Sequence, residues 1–198
     1  MYSKKYPKEE EIKRALAEHF QRRGHTVFRD VNTAKSTQKP ICIKDDEQII
    51  IHFFTEPDII LIKKDENDYY PKIIGIEIKG YRKDKIPPFR EAFGQAMLYL
   101  VNPKIIYSDG RTIYGSIFDE VYICYPYTEN YKEEDVRAVE KLTPIGLMAW
   151  DDGELNYIIK ARPNPYMRNE TKDIFMKCIN IINKSLYERE MLERFLGK

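Results

Sequence analysis

Several things are scarce in this 198-residue sequence, and each scarcity excludes something. There are three cysteines, Cys42, Cys124 and Cys178, far apart and without a C-x-x-C pair, so neither a disulfide scaffold nor a zinc cage is expected. Each lies among apolar residues and reads as a small buried thiol of a reducing compartment. There is no excess of either charge: 33 Lys and Arg stand against 32 Asp and Glu, which excludes nucleic-acid binding by global basicity and leaves only a local patch. No long apolar run exists. The longest, Ile49 to Phe54, is too short to cross a bilayer, and the N-terminal segment lacks the apolar stretch of a secretory signal. No membrane partner is expected, and a cytoplasmic location follows. Glycine-rich phosphate loops and G-x-S-x-G elbows are absent as well.

What is present is the material of one ordinary globular domain spanning 1–198. Hydrophobic residues make up 42% of the chain, enough to build a core despite 33% charged residues. After Pro7, the residues Ile12, Ala15, Leu16, His19 and Phe20 recur at helical spacing up to Gly24, a helix with proline at its start and glycine past its end. Thr26–Phe28 reads as a short strand and 30–40 as a polar loop. Strand patterns follow at Ile41–Ile43 with Gln48–Phe54, at Asp58–Lys63 and at Lys72–Lys79, with turns at 44–47 and 65–68. Pro87-Pro88 opens a helix to about Leu100, with Phe89, Phe93, Ala96 and Leu100 on one stripe. Asp119–Tyr125 is a strand, Glu133–Leu142 a helix, and Gly146–Trp150 with Leu155–Lys160 a hairpin around Asp151-Asp152-Gly153. Asn169–Phe195 reads as a long terminal helix. The order predicts an α/β fold with a central mixed sheet flanked by helices, ending in a hairpin and a long helix.

The segment from Glu56 to Lys79 carries charge where an ordinary core strand would not. Asp58 heads one apolar run, and Glu77 and Lys79 stand near the end of the next. Side chains alternate along a strand, so Glu77 and Lys79 share a face. If the two runs pair, a register that brings Asp58 beside Glu77 is easily reached, and two carboxylates and an ammonium meet at one sheet edge. Two neighbouring carboxylates resist ionising together unless a cation lies between them. Mg²⁺ suits such a place because it takes one or two carboxylates and keeps its waters, with Mn²⁺ as a substitute. A lysine beside the ion can orient or deprotonate an attacking water, or steady charge on a phosphate.

Pro57-Asp58, then 18 residues, then Glu77-Ile78-Lys79 resembles the signature of the PD-(D/E)xK, or restriction-endonuclease-like, nuclease superfamily. The helix–strand–strand–strand–helix–strand order over about 7–125 is similar to its αβββαβ core; the extension from about 126 to 198 resembles nothing further. Gln95 and Tyr99, one helical turn apart, resemble the Q-x-x-x-Y motif of the RecB-like branch. The resemblance implies a metal-dependent deoxyribonuclease with Asp58, Glu77 and the carbonyl of Ile78 as metal ligands. Lys79 is then the base or water-orienting group, with Gln95 beside it in the catalytic set and Tyr99 reaching the nucleic acid. It also implies a metal-binding glutamate from the first helix. At about 100° per residue, Glu9 lies nearest the stripe of Ile12, Leu16 and Phe20, Glu11 is the second choice, and Glu10 points away. Arg82, Lys83, Lys85 and Arg90 follow the E-x-K strand and are expected to hold DNA phosphates without reading sequence. The same strand order is similar to that of archaeal Holliday junction resolvases, a structure-selective alternative; a non-catalytic nucleic-acid-binding module on the same fold is another. The apolar stripe Ile174, Cys178, Ile182 and Leu186, continued by Met191, Leu192, Phe195 and Leu196, predicts a two-fold homodimer.

Overall fold

A computed structural model describes residues 6–29, 41–43, 47–63 and 71–179, with side chains described from 48 onward in the second and third of these segments. In chain order the elements are α1 (Glu9–Gln21), β1 (Thr26–Arg29), β2 (Ile41–Ile43), β3 (Glu47–His52), β4 (Ile59–Lys63), β5 (Lys72–Ile78) and α2 (Phe89–Tyr99). Then come β6 (Lys104–Tyr107), β7 (Thr112–Tyr114), β8 (Glu120–Tyr125), α3 (Glu133–Leu142), β9 (Gly146–Asp151) and β10 (Glu154–Ile159). A further helix, α4, begins at 169 and is described through 179. The expected loop at 30–40, most of the turns at 44–47 and 65–68, the side chain of Cys42 and the apolar stripe beyond 179 lie outside the described residues.

The main sheet has six strands in the order β1-β4-β5-β8-β9-β10. The pairs β5–β8 and β8–β9 are parallel and the others antiparallel, so the sheet is mixed, as expected. Each parallel pair is joined by a crossover carrying a helix, α2 or α3, as parallel neighbours require. The hairpin β9–β10 turns at Asp152 and Gly153, both at positive φ, where an Asp-Gly pair is favoured. The C-terminal extension therefore continues the same sheet.

Strand alternation divides the core in two. Ile59 and Leu61 of β4 and Ile74, Ile76 and Ile78 of β5 pack under Ile12, Leu16, Ala17 and Phe20 of α1. Ile60, Ile62 and Ile73 face the opposite way, toward Ala92, Ala96 and Tyr99 of α2 and Phe175 and Cys178 of α4. Burying a large aliphatic side chain contributes about 1.5–3 kcal/mol, and both sheet faces are lined by such residues. Ile174 and Cys178, read as half of a dimer stripe, are buried against this chain's own core. Cys124 and Cys178 are buried free thiols.

Two features go beyond the sequence expectations. The strands at 41–54 do not join the central sheet: β3 pairs with β6, and β2-β3-β6-β7 make a separate antiparallel sheet. And β6 and β7 were not expected as strands. They are only four and three residues long, but they flank Asp109-Gly110, a turn signal that could have revealed them.

Candidate active site at the start of β4 and the end of β5

The antiparallel register of β4 on β5 sets Ile59 opposite Ile76, which brings Asp58, one residue before β4, alongside Glu77. The Asp58 carboxylate accepts the amide of Ile78 on Oδ2 at 2.6 Å and the ammonium of Lys13 on Oδ1 at 2.8 Å. Glu77 projects to the α2 side and is 1% exposed. Its Oε1 accepts the Lys79 ammonium and its Oε2 accepts the Tyr99 hydroxyl. Lys79 is itself 2% exposed, so the expected juxtaposition of two carboxylates and an ammonium is present, inside the protein rather than on an open edge.

The loop that carries Asp58 is clamped from α2. The Tyr99 hydroxyl also lies 3.0 Å from the carbonyl of Glu56, so its one proton is shared between that carbonyl and Glu77. Asn102, just past the helix, accepts the Phe54 amide at 2.7 Å and donates to the Thr55 carbonyl at 3.1 Å. On the other side, Gly80 lets β5 run into the start of α1. A Cβ there would lie 2.1 Å from the Glu9 nitrogen, a contact with backbone that cannot yield. The Tyr81 amide donates to the Pro7 carbonyl at 2.9 Å, fixing the same junction. The first helix thus delivers Lys13 to Asp58.

Electrostatics follow from this burial. Removal from water raises the pKa of Asp58, and Lys13 opposes that rise. For Glu77 burial and then the charge of Asp58 push the carboxyl up to about 7, against the pull of Lys79 and Tyr99. The Tyr99 hydroxyl is held well above its usual range by burial and by Glu77, so it is a donor.

Lys13, Thr55, Glu56, Pro57, Asp58 and Gln95 line a cleft of about 340 Å³. Gln95 Oε1 is buried and has no hydrogen-bond partner among the described residues, an orphaned oxygen in the cleft lining that it shares with Asp58. A larger hollow of about 850 Å³ lies over the α1 face near the start of β5, lined by aromatic and basic side chains such as Arg23, Tyr122 and Tyr157. The two acids in its lining, Glu120 and Glu154, stand on strands separated by β9, whereas Asp58 and Glu77 lie side by side on adjacent strands, so chemistry rather than size selects the smaller cleft. Among the described residues no group of three or more His, Cys, Asp or Glu side chains is gathered for a metal ion. What lies together is instead a pair of carboxylates from adjacent strands, Asp58 and Glu77, with the Gln95 oxygen in the cleft lining that Asp58 shares. These are hard oxygen ligands, few in number, which fits a cation that keeps several waters.

The other sequence candidates are placed as follows. Glu9 lies 3.4 Å from Lys13 and 3.5 Å from Arg82, one ion pair removed from Asp58. Glu11 instead accepts the Lys8 amide at 2.8 Å and caps its own helix. Tyr99, expected to touch nucleic acid, is 0% exposed; its hydroxyl is spent inside on Glu77 and Glu56, so it positions the site. Lys83 and Lys85 are exposed on a tight turn in which Lys83 and Asp84 have positive φ, and Arg90 is exposed in the first turn of α2. Arg82 is exposed too but is shared between Glu9 and Glu91. Lys13 and Asn102 were missed. Neither has a motif, though a lysine next to Ile12 on the buried side of an otherwise apolar helix stripe was a readable irregularity.

No protein-family model matches the chain, and no curated protein matches it. Among solved structures, a protein of unknown function from Silicibacter pomeroyi is similar with a TM-score of 0.49 and 12% identity, over 98% of this chain and 94% of that one. A likeness of that degree assigns neither a fold family nor an activity. Among the described residues no helix is long and apolar enough to cross a membrane.

Proposed function

We propose that the chain is a metal-dependent nuclease of restriction-endonuclease-like type that hydrolyses phosphodiester bonds in DNA, with water as the nucleophile. The observation that carries this reading is the meeting of Asp58 and Glu77, from adjacent strands, beside a cleft with an orphaned Gln95 oxygen. The element order supports it: without the strands of the second sheet, the chain through β8 runs α1-β1-β4-β5-α2-β8, the αβββαβ order of the superfamily that the motifs resemble.

In this reading Asp58, Glu77 and the Ile78 carbonyl hold Mg²⁺ or Mn²⁺, with Gln95 at the rim and Glu9 reaching the site only through Lys13. A divalent ion supplies Lewis acidity toward phosphoryl oxygen and makes water a better nucleophile. Tyr99 and Lys79 orient the Glu77 carboxylate. An ammonium carries three donors, so Lys79 can hold Glu77 with one and steady charge building on the phosphate with another. Lys83, Lys85 and Arg90 meet the DNA backbone.

A second reading has its own observation. Asp58 is paired with Lys13 and Glu77 with Lys79, so two cations already answer two carboxylates, as a non-catalytic nucleic-acid-binding module on this fold would need. One experiment separates the two: digestion of linear, circular, single-stranded, flapped and four-way DNA with Mg²⁺, Mn²⁺ or chelator. The nuclease reading predicts metal-dependent cleavage that Asp58→Ala and Glu77→Ala abolish in protein shown by circular dichroism to be folded. Lys79→Ala loses cleavage while keeping metal binding, and Lys79→Arg does not restore it, because a guanidinium differs in shape and stays protonated. Preference for the four-way substrate would select the junction-resolving form. No cleavage by the wild type with either metal, or undiminished cleavage by Glu77→Ala, overturns the reading.

A further inference from the structure

Lys13 is the charged residue among the buried side chains of α1, 6% exposed and set against Asp58 at the start of β4. A lysine ammonium is buried only at a cost unless it is paired, so its place calls for a reason. Its Nζ lies 2.8 Å from Asp58 Oδ1 and 3.4 Å from both Glu9 and Glu10. Asp58 Oδ2 accepts the Ile78 amide, which leaves Oδ1 as the less committed oxygen for a cation, and Lys13 is on it. The lysine also lines the cleft that any ion would enter.

We propose that Lys13 is an internal counter-cation that occupies the seat of the divalent ion and is displaced by it toward Glu9 and Glu10. This inference rests on the nuclease reading and adds to it a built-in competitor for the metal. The geometry permits the exchange: the ammonium rides on a flexible four-carbon stem, and Glu9 and Glu10 already stand where it would go. Two consequences follow. Without metal, Lys13 keeps the buried carboxylate of Asp58 neutralised and the site folded. With metal, part of the binding free energy is used to move Lys13, so the wild-type affinity is lower than the donor set would give.

The test is metal binding itself, without any assay of cleavage. Mn²⁺ and Mg²⁺ affinities are measured by calorimetry, and thermal unfolding is recorded with and without Mg²⁺, for the wild type, Lys13→Met and Lys13→Arg. Methionine keeps the length and removes the charge. Lys13→Met is expected to bind Mn²⁺ at least tenfold more tightly, to melt at a lower temperature without metal, and to gain more from Mg²⁺ than the wild type does. Lys13→Arg keeps a cation at Asp58 and is expected to bind no more tightly than the wild type. If the wild type binds metal and Lys13→Met binds it equally or more weakly, the competitor role is wrong and the nuclease reading stands. If Lys13→Arg tightens binding too, charge is not the cause and the proposal is likewise overturned. If none of the three binds either metal, the nuclease reading itself fails and takes this inference with it. Should Lys13→Met not fold without metal, its recovery on refolding with Mg²⁺ supports the proposal, and failure to recover counts against it.

Discussion

At one end of β5, Asp58 accepts the Ile78 amide at 2.6 Å and the ammonium of Lys13, from α1, at 2.8 Å. At the other, Asp119 accepts the Ile73 amide at 2.6 Å and the ammonium of Lys172, from α4, at 2.7 Å. The two carboxylates are comparably buried, with side chains 13% and 18% exposed, and both lysines are nearly covered. What differs is the company. Beside Asp119 the next acid, Glu120, is paired with a half-open Lys72. Beside Asp58 stands Glu77, a second carboxylate under the surface, with Glu9 behind Lys13 and an oxygen of Gln95 that nothing answers. An aspartate, a strand amide and a helix lysine make a clamp that ties a helix to the sheet. The additional buried carboxylate turns the same clamp into a candidate for chemistry.

The largest effect should come from breaking the clamp that has no second role. Lys172→Met leaves Asp119 charged and unpaired, which is expected to cost about 3–5 kcal/mol of stability in denaturant unfolding. Mg²⁺ should recover none of it, whereas it should recover Lys13→Met at the other end. Equal rescue of both variants, or of neither, would erase the distinction between the two ends.

A second contrast is in pH. Glu77 has a pKa raised from about 4.5 to about 7, so between those values the folded protein holds a proton that the unfolded chain has released. The native state binds more protons there, and this group's contribution therefore makes metal-free stability fall as pH rises from about 4.5 to about 7. Glu77→Gln should flatten that limb of a stability–pH curve, and saturating Mg²⁺ should oppose it in the wild type. A slope unchanged by Glu77→Gln would show that another group carries it.

The smallest effect concerns the turn after β5. Replacing Lys83 and Lys85 by Ala should weaken binding to all DNA sequences alike and lower the log–log salt slope by about one per lost contact. Arg82→Ala should change the slope less, because Glu9 and Glu91 already hold that guanidinium. Salt dependence identical to wild type in the double variant would return these lysines to a solvated turn.

Much of this was legible in the sequence because strands reveal their faces by alternation. The runs at Asp58–Lys63 and Lys72–Lys79 announced both the pairing and the one edge where charge breaks the apolar pattern. Helices α1, α2 and α3 were legible from apolar spacing and from Pro7, Pro87 and Gly24, the last at positive φ past the helix end. The second sheet was not, because the pairing of β3 with β6 joins segments about fifty residues apart, and no local pattern encodes a long-range partner. Tyr99 was visible as a motif residue but not its direction, since an amphipathic helix shows which face is apolar without showing which hydroxyl will meet a buried acid. Lys13 was visible as an irregularity in the α1 stripe but not its partner: only the packing of α1 against the Gly80 junction places that lysine on Asp58.

The most direct test of the central claim is a Mn²⁺ binding titration followed by electron paramagnetic resonance on the wild type, Glu77→Gln and Asp119→Asn. The account predicts one Mn²⁺ bound per wild-type chain, binding lost in Glu77→Gln, and binding kept in Asp119→Asn. No bound Mn²⁺ in the wild type, or equal binding by wild type and Glu77→Gln, would contradict it.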